Sequence, residues 1–323
     1  MSRYSWIILD ADNTVFDFDR AEHAALARTL AGFGLECTET IRAEYAAISA
    51  RLWRAFEAGE LTSERLRVAR FEELLRGRPE GHSGEVVNLV NLHPPASPEQ
   101  TFAGERRRNR ATPHEVGSGE FLTADGRNAG AAQSVSDRYI VELGRESGLL
   151  PGAESVVRSL ASTHRLLLAT NGISDIQRRR FGASVLADSF EDMVISDEIG
   201  VAKPHPAFFD EVFHRMGNPA KGHVLMVGDS LSSDIAGGIG YGIDTCWFDH
   251  RALGESAPLK HEPPLEPTYR ILELEELLGV VHGGGLDEGT DGRASGRACR
   301  KADGERAGER MGERAGEREK ADE

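Results

Sequence analysis

The stretch YSWIILDADNT, residues 4–14, decides the fold. A short apolar run that ends in two carboxylates, Asp10 and Asp12, reads as a buried strand delivering acids at its C-terminal end. That edge is where open α/β sheets hold their ligands. Further apolar runs lie at 166–169, 193–195, 224–227 and 243–248, with helical stretches between them. Alternation of this kind predicts a parallel sheet covered by helices on both faces. Between the first run and the second, the period changes. Ile41, Tyr45, Ile48, Leu52 and Phe56 recur at three and four residues, and Leu66, Phe71, Leu74 and Leu75 suggest another helix, so that a helical insertion follows the first strand.

The remaining punctuation sets the domain limits. Over about 77–131 periodicity gives way to Gly, Pro, Ser, Asn and charge, which reads as a flexible loop, with a short ordered piece expected at 86–92. Helical signal returns from Val135 to Gly144. Beyond His282 a Gly-Glu-Arg-x unit repeats over 304–319, and its glycines and mixed charges cannot bury a core. The expected organisation is an α/β core from residues 1–16 and 148–282, a helical insert over 17–147 containing the flexible segment, and a disordered tail over 283–323.

Composition narrows the function. The 323 residues are 39% hydrophobic, enough for at least one core. A formal charge of −15 argues against nonspecific nucleic-acid binding, which needs a basic surface. No apolar run approaches the roughly 20 residues that span a bilayer, so neither a membrane nor a nucleic acid is expected as a partner. Cys37, Cys246 and Cys299 are far apart and odd in number, which suits a reducing, cytoplasmic location. The same acidity would repel a phosphate dianion unless a cation reverses the local field.

Four signals in order carry the chemistry: Asp10-Ala11-Asp12-Asn13-Thr14, Thr170-Asn171-Gly172, Lys203-Pro204, and Gly228-Asp229 with Asp234 following. Any one alone is weak, since short acidic motifs also make turns and caps. Together they supply what phosphoryl transfer needs: a nucleophile, neutralised oxygens and an acid for the leaving group. Asp10 is the expected nucleophile. Asp12 is expected to protonate the leaving oxygen and later to activate water. Thr170 by its hydroxyl and Asn171 by its backbone amide would hold phosphoryl oxygens, and Lys203 supplies fixed positive charge. An oxygen-ligated Mg²⁺ is expected, with Asp10 and Asp229 as side-chain ligands, the backbone carbonyl of Asp12 as a third, and Asp234 orienting the metal or its waters.

Other features read more plainly. The glycines of 237–242 follow a helix and precede a strand, the reverse of a dinucleotide loop, and are expected to end the helix. The basic clusters 106–108 and 178–180 read as solvated surface. His23, His164, His205, His214 and His223 share no ligand spacing and receive no catalytic role. Phe18, Tyr45, Trp53 and Phe56 read as core rather than as ligand contacts.

The four ordered motifs resemble the signatures of the haloacid dehalogenase (HAD) superfamily. That resemblance implies a Rossmann-like core with a parallel sheet flanked by helices and a helical cap inserted after the first strand. DADNTVFDFD, AGELTSERLRVARFEELL, LLPGAESV, ATNGISDIQRRR, VISDEIGVAKPHPAFFD and VLMVGDSLSSDIAGGIGYGIDTCWF are similar to the YjjG-like pyrimidine 5′-nucleotidases. This closer likeness implies a small-molecule substrate, a nucleoside monophosphate cleaved to nucleoside and phosphate. The competing readings are a sugar-phosphate or phosphoglycolate phosphatase, a dehalogenase, which needs no acid at Asp12 and no complete metal site, and a noncatalytic binding protein.

Overall fold

The structure, a computed structural model, describes residues 2–76, 124–252 and 265–283, with helix geometry alone for 124–129. Six parallel strands form one sheet in the order β3-β2-β1-β4-β5-β6. They are β1 (Trp6–Leu9), β2 (Arg165–Thr170), β3 (Asp192–Ile195), β4 (Val224–Gly228), β5 (Asp244–Phe248) and β6 (Tyr269–Ile271). Strand β1 lies between β2 and β4, in register Leu9↔Leu168 and Leu9↔Val227. The chain order reverses at this point, which opens a crevice beyond the strand ends.

Strands β1, β2 and β4 are buried on both faces because both faces are covered. Ile7, Leu9, Leu166, Leu168, Leu225 and Val227 join one core with Val156, Val157 and Leu160 of α5 (Ala153–Ala161). The alternate positions Trp6, Ile8, Leu167, Val194 and Met226 join a second core with Phe208, Phe209, Val212 and Phe213 of α8 (Pro206–Arg215). A period of two in each strand is thereby satisfied against helices above and below. The remaining core helices are α6 (Ser174–Gly182), α7 (Ser196–Ile199), α9 (Ala236–Tyr241) and α10 (Glu276–His282).

Four helices intervene between β1 and β2: α1 (Phe18–Gly32), α2 (Glu39–Glu57), α3 (Ser63–Arg76) and α4 (Ala124–Leu143). They form a helical cap around Ala25, Leu26, Leu30, Tyr45, Phe71, Leu74, Val135 and Tyr139. The chain leaves and re-enters the core at adjoining points. Asp17 N donates to Gly148 O at 3.0 Å, and Leu150 N donates to Val15 O at 3.0 Å.

Two elements differ from the sequence reading. Helix α4 begins at Ala124, where a loop running to 131 was expected, because its buried face of Ala132, Val135 and Tyr139 is joined through Ala and Gly that carry no periodic signal. Strand β6 escaped notice because a three-residue edge strand with one buried side chain has no readable pattern. The glycines of 237–242 close a helix as expected, the first three lying in the last turns of α9 and Gly242 forming its left-handed cap; a Cβ on Gly237 would stand 2.5 Å from the Phe209 ring. The pieces expected at 86–92, the basic cluster 106–108 and the tail over 283–323, apart from Gly283 itself, lie outside the described residues.

Candidate active site

The motif residues gather at the C-terminal ends of the three central strands. Asp10 follows β1, Thr170 ends β2, and Asp229 follows β4. Lys203, on the loop between α7 and α8, reaches in from the far side of β2 and is buried to 1% exposure. Its Nζ donates to Asp10 Oδ1 at 2.6 Å and to the Ala169 carbonyl at 2.7 Å, and pairs with Asp234 Oδ1 at 2.7 Å. Asp10, Asp229 and Asp234 each bring a carboxylate oxygen to within 4.8 Å of the others.

Local chemistry explains the placement. Gly228 leaves room for Asp234, since a Cβ there would stand 2.1 Å from Asp234 Oδ2. That oxygen accepts from Ser230 N at 3.1 Å. The backbone carbonyl of Asp229 accepts from Trp247 Nε1 at 3.0 Å, which pins the loop. Asn171 locks onto the Lys203 backbone, donating from Nδ2 to Lys203 O at 2.9 Å and accepting from Lys203 N at 2.8 Å through Oδ1. Its side chain is therefore engaged in holding Lys203. The Thr170 hydroxyl oxygen accepts from Gly172 N at 3.0 Å, so its proton is the part free for another acceptor.

Asp12 stands apart from the carboxylate cluster and is held by helix α6. Gln177 Nε2 donates to Asp12 Oδ2 at 2.6 Å, and Arg180 Nη1 pairs with Oδ1. Gly172 makes the approach possible, because a Cβ there would meet Gln177 Nε2 at 2.2 Å. Arg180 also donates from Nε to the Glu146 carbonyl at 2.7 Å and is wholly buried. The reading of 178–180 as solvated surface thus needs correction: Arg178 pairs with Glu198 at the surface, but Arg180 points inward. Gln177 and Arg180 are three residues apart on one helix face, and that spacing was the available signal.

Electrostatics in the cluster are unbalanced. Burial pushes the Asp10 carboxyl well above the usual carboxylate range, Lys203 opposes the shift, and Asp234 and Asp229 reinforce it. Burial and then Asp234 push Asp229 up to about 7. Lys203 is shifted upward despite its burial, because Asp10 and Asp234 outweigh desolvation. Three acids crowd one ammonium, an arrangement that a hard divalent cation with oxygen ligands fits.

The cap approaches Asp12 from the other side. A small cavity of about 10 Å³, room for a water at most, has Asp12, Gln177, Phe18, Trp53, Arg70 and Ile173 among its walls. Tyr45 is core, as expected, packed at 5.6 Å from Phe71 and 5.8 Å from Tyr139. Phe56 packs edge-on against Trp53 at 5.5 Å. Phe18 and Trp53 pack against the cap's hydrophobic clusters, as expected, and also face the cavity. Glu57, the last residue of α2, places Oε1 at 3.4 Å from Asn171 Nδ2, and burial raises its pKa. Nothing in its sequence context distinguished it. His205 caps α8 by accepting from Ala207 N, and His164 bonds Ser2 far from the site.

Residues 4–242 match the haloacid dehalogenase-like hydrolase family. The HAD-hydrolase YfnB of Bacillus subtilis is 30% identical over 282 residues, covering 87% of this chain and 97% of that protein. Its magnesium-bound crystal structure, described as revealing interdomain movement, matches with a TM-score of 0.65 at 28% identity, covering 87% of this chain and 99% of that one. Pyrimidine 5′-nucleotidase YjjG of Escherichia coli is 28% identical over 277 residues, 85% of this chain and 96% of that protein. Pyrimidine 5′-nucleotidase PynA of Streptococcus pneumoniae is 26% identical over 276 residues, 85% of this chain and 94% of that protein.

Proposed function

The chain belongs to the haloacid dehalogenase-like hydrolases, and from that premise we propose that it is a Mg²⁺-dependent phosphatase that cleaves pyrimidine nucleoside 5′-monophosphates to nucleoside and inorganic phosphate. The observation that carries the chemistry is the pairing of two acids in different settings: Asp10 against buried Lys203, and Asp12 against Gln177 and Arg180. Likeness to YjjG and PynA over nearly their whole length, cap included, supports the substrate class.

In this reading an Asp10 carboxylate oxygen attacks phosphorus, and the bond to the nucleoside 5′-oxygen breaks as the new one forms. Asp12 delivers a proton to the departing oxygen. The ionised Asp12 then takes a proton from water as that water attacks the aspartyl-phosphate, which frees Asp10 and releases phosphate. Lys203 aims Asp10 and balances its charge, while Arg180 and Gln177 fix the direction of Asp12. Thr170 and the backbone amide of Asn171 hold phosphoryl oxygens. Mg²⁺ would be held by Asp10, Asp229 and the Asp12 carbonyl, with Asp234 behind them, and would screen the dianion from its carboxylate nucleophile.

The domain limits belong to the same proposal. The cap runs over 17–147, its ends joined at the Asp17–Gly148 and Leu150–Val15 hydrogen bonds, and the core comprises 1–16 and 148–282. No described helix is long and apolar enough to cross a membrane.

Phosphate release with and without Mg²⁺ from UMP, dUMP, dTMP, sugar phosphates and phosphoglycolate tests the proposal, with Asp10→Asn as control. Metal-dependent turnover of the pyrimidine nucleotides, lost in the variant, is expected. Preference for phosphoglycolate or a sugar phosphate would retain the mechanism and remove the substrate.

A further inference from the structure

Arg70 of helix α3 is 1% exposed, although arginine is rarely buried without a partner. Its guanidinium is fixed by aromatic rings, 5.0 Å from the Tyr139 centroid, 5.8 Å from Phe71 and 6.0 Å from Tyr45. The faces of those rings orient the group, the Tyr139 hydroxyl bonds it, and the buried Glu22 carboxyl acts on it electrostatically. Nε and Nη2 are buried and find no hydrogen-bond partner among the described residues. Leaving such donors unmade in a closed protein carries their full desolvation cost. Arg70 also lines the cavity that Asp12 lines, on the side where the departing group of the reaction must lie.

We propose that Arg70 is a specificity residue, whose free N–H donors take a carbonyl oxygen of the pyrimidine base. The assignment rests on the nucleotidase reading given above and deepens it. Three features of the walls select this chemistry. Trp53 and Phe18 offer aromatic surface to a planar group. Arginine has donors and no acceptor, so it favours a carbonyl-bearing base and gains nothing from an amino edge. Uracil, thymine and cytosine all carry such an oxygen, as does the larger guanine, adenine carries none, and a bare sugar has no planar group to fill the space. Gln177 Oε1, a further buried wall atom without a hydrogen-bond partner among the described residues, stands ready for a hydroxyl or N–H of the same nucleoside. Since the cavity now has room for a water at most, the cap must withdraw to admit the nucleoside.

The test compares UMP with ribose 5-phosphate, the same ester without its base, in the full-length protein and in Arg70→Met. The ratio of kcat/KM for UMP to that for ribose 5-phosphate is expected to fall about 10- to 100-fold in the variant, mainly through KM, as for loss of a hydrogen bond to a charged group. Competitive inhibition by uridine, which needs no phosphate site, is expected to weaken by a similar factor. Arg70→Lys, which keeps the charge and loses the fork, is expected to recover part of the ratio and serves if the Met variant does not fold. A wild-type protein that does not hydrolyse UMP removes the nucleotidase reading and this assignment with it. A wild-type protein that does, beside variants losing both esters equally or losing neither, overturns the assignment alone.

Discussion

Arg180 of the core and Arg70 of the cap are both fully buried, and they are used in different ways. Arg180 commits Nη1 to Asp12 and Nε to the Glu146 carbonyl, and only its Nη2 finds no partner among the described residues. Arg70 is enclosed by rings, bonded by the Tyr139 hydroxyl and acted on by the charge of Glu22, and two of its nitrogens find no hydrogen-bond partner among the described residues. The contrast teaches how the two domains divide the work. In the proposed reading the core holds its acids on fixed partners that serve any phosphate ester, whereas Arg70 of the cap keeps two donors for the leaving group. Substitutions in the core should therefore strike esters alike, and substitutions in the cap should separate them.

Asp10→Asn is the strongest test of the core half of that statement. Removing the nucleophile is expected to lower phosphate release by about 10⁵-fold for every ester, with folding retained, as read by initial rates and a melting curve. A residual rate that depends on the leaving group would show that the cap contributes to the chemistry itself.

The next effect separates the domains by pH. Asp229 in the core and Glu22 in the cap are both raised to about 7, each chiefly by burial. A carboxyl with a folded pKa above its unfolded value binds its proton more tightly in the folded chain. Between about pH 4 and 7 the folded state then carries more protons, so stability falls as pH rises through that window and levels off above it. For Asp229 the loss is at most about 4 kcal/mol. Mg²⁺ at the core acids should cancel their share and leave that of Glu22. In melting experiments the stabilisation by Mg²⁺ over EDTA is expected to be larger at pH 8 than at pH 5, and Glu22→Gln should flatten the pH dependence that persists in Mg²⁺. Equal Mg²⁺ stabilisation at both pH values would mean that the core acids do not titrate in this range.

Arg180→Met comes third. Asp12 would lose its ion pair and keep only Gln177. Rates for alkyl esters such as UMP and ribose 5-phosphate are expected to fall together by about 100-fold, the scale of general-acid catalysis. An aryl phosphate, whose leaving group needs no proton, should fall much less. Unequal losses between UMP and ribose 5-phosphate would assign Arg180 to substrate selection and erase the contrast with Arg70.

What the sequence disclosed follows the same division. Strand β1 and the acids after it were readable because burial on both faces makes a strand uniformly apolar, and Asp10, Asp229 and Asp234 do meet within 4.8 Å. Lys203 was readable for its motif, although not its route into the site from beyond β2. Arg180 was not, because a run of three arginines looks solvated until the helix face is known, and only one of the three turns inward. Arg70 and Glu57 were less readable still. Their roles depend on how four helices pack around a point distant in sequence, and composition and spacing carry no trace of that.

Glu57 gives the smallest effect and the finest test of the division. It is a cap residue that touches the core, since its carboxylate lies 3.4 Å from Asn171 Nδ2. That nitrogen already donates to Lys203 O at a better 2.9 Å, so Glu57 is not required to hold Asn171. Removing its negative charge should ease the approach of a phosphate dianion without altering the leaving-group cavity. Glu57→Gln is therefore expected to raise kcat/KM by less than about fivefold, equally for UMP and ribose 5-phosphate. Because burial raises the Glu57 pKa, the gain should shrink as pH falls and the wild-type carboxyl becomes neutral. A gain confined to UMP would place Glu57 with Arg70 among the residues that read the leaving group, and would move the boundary between general chemistry and selection from the domain interface to the Asn171 side chain.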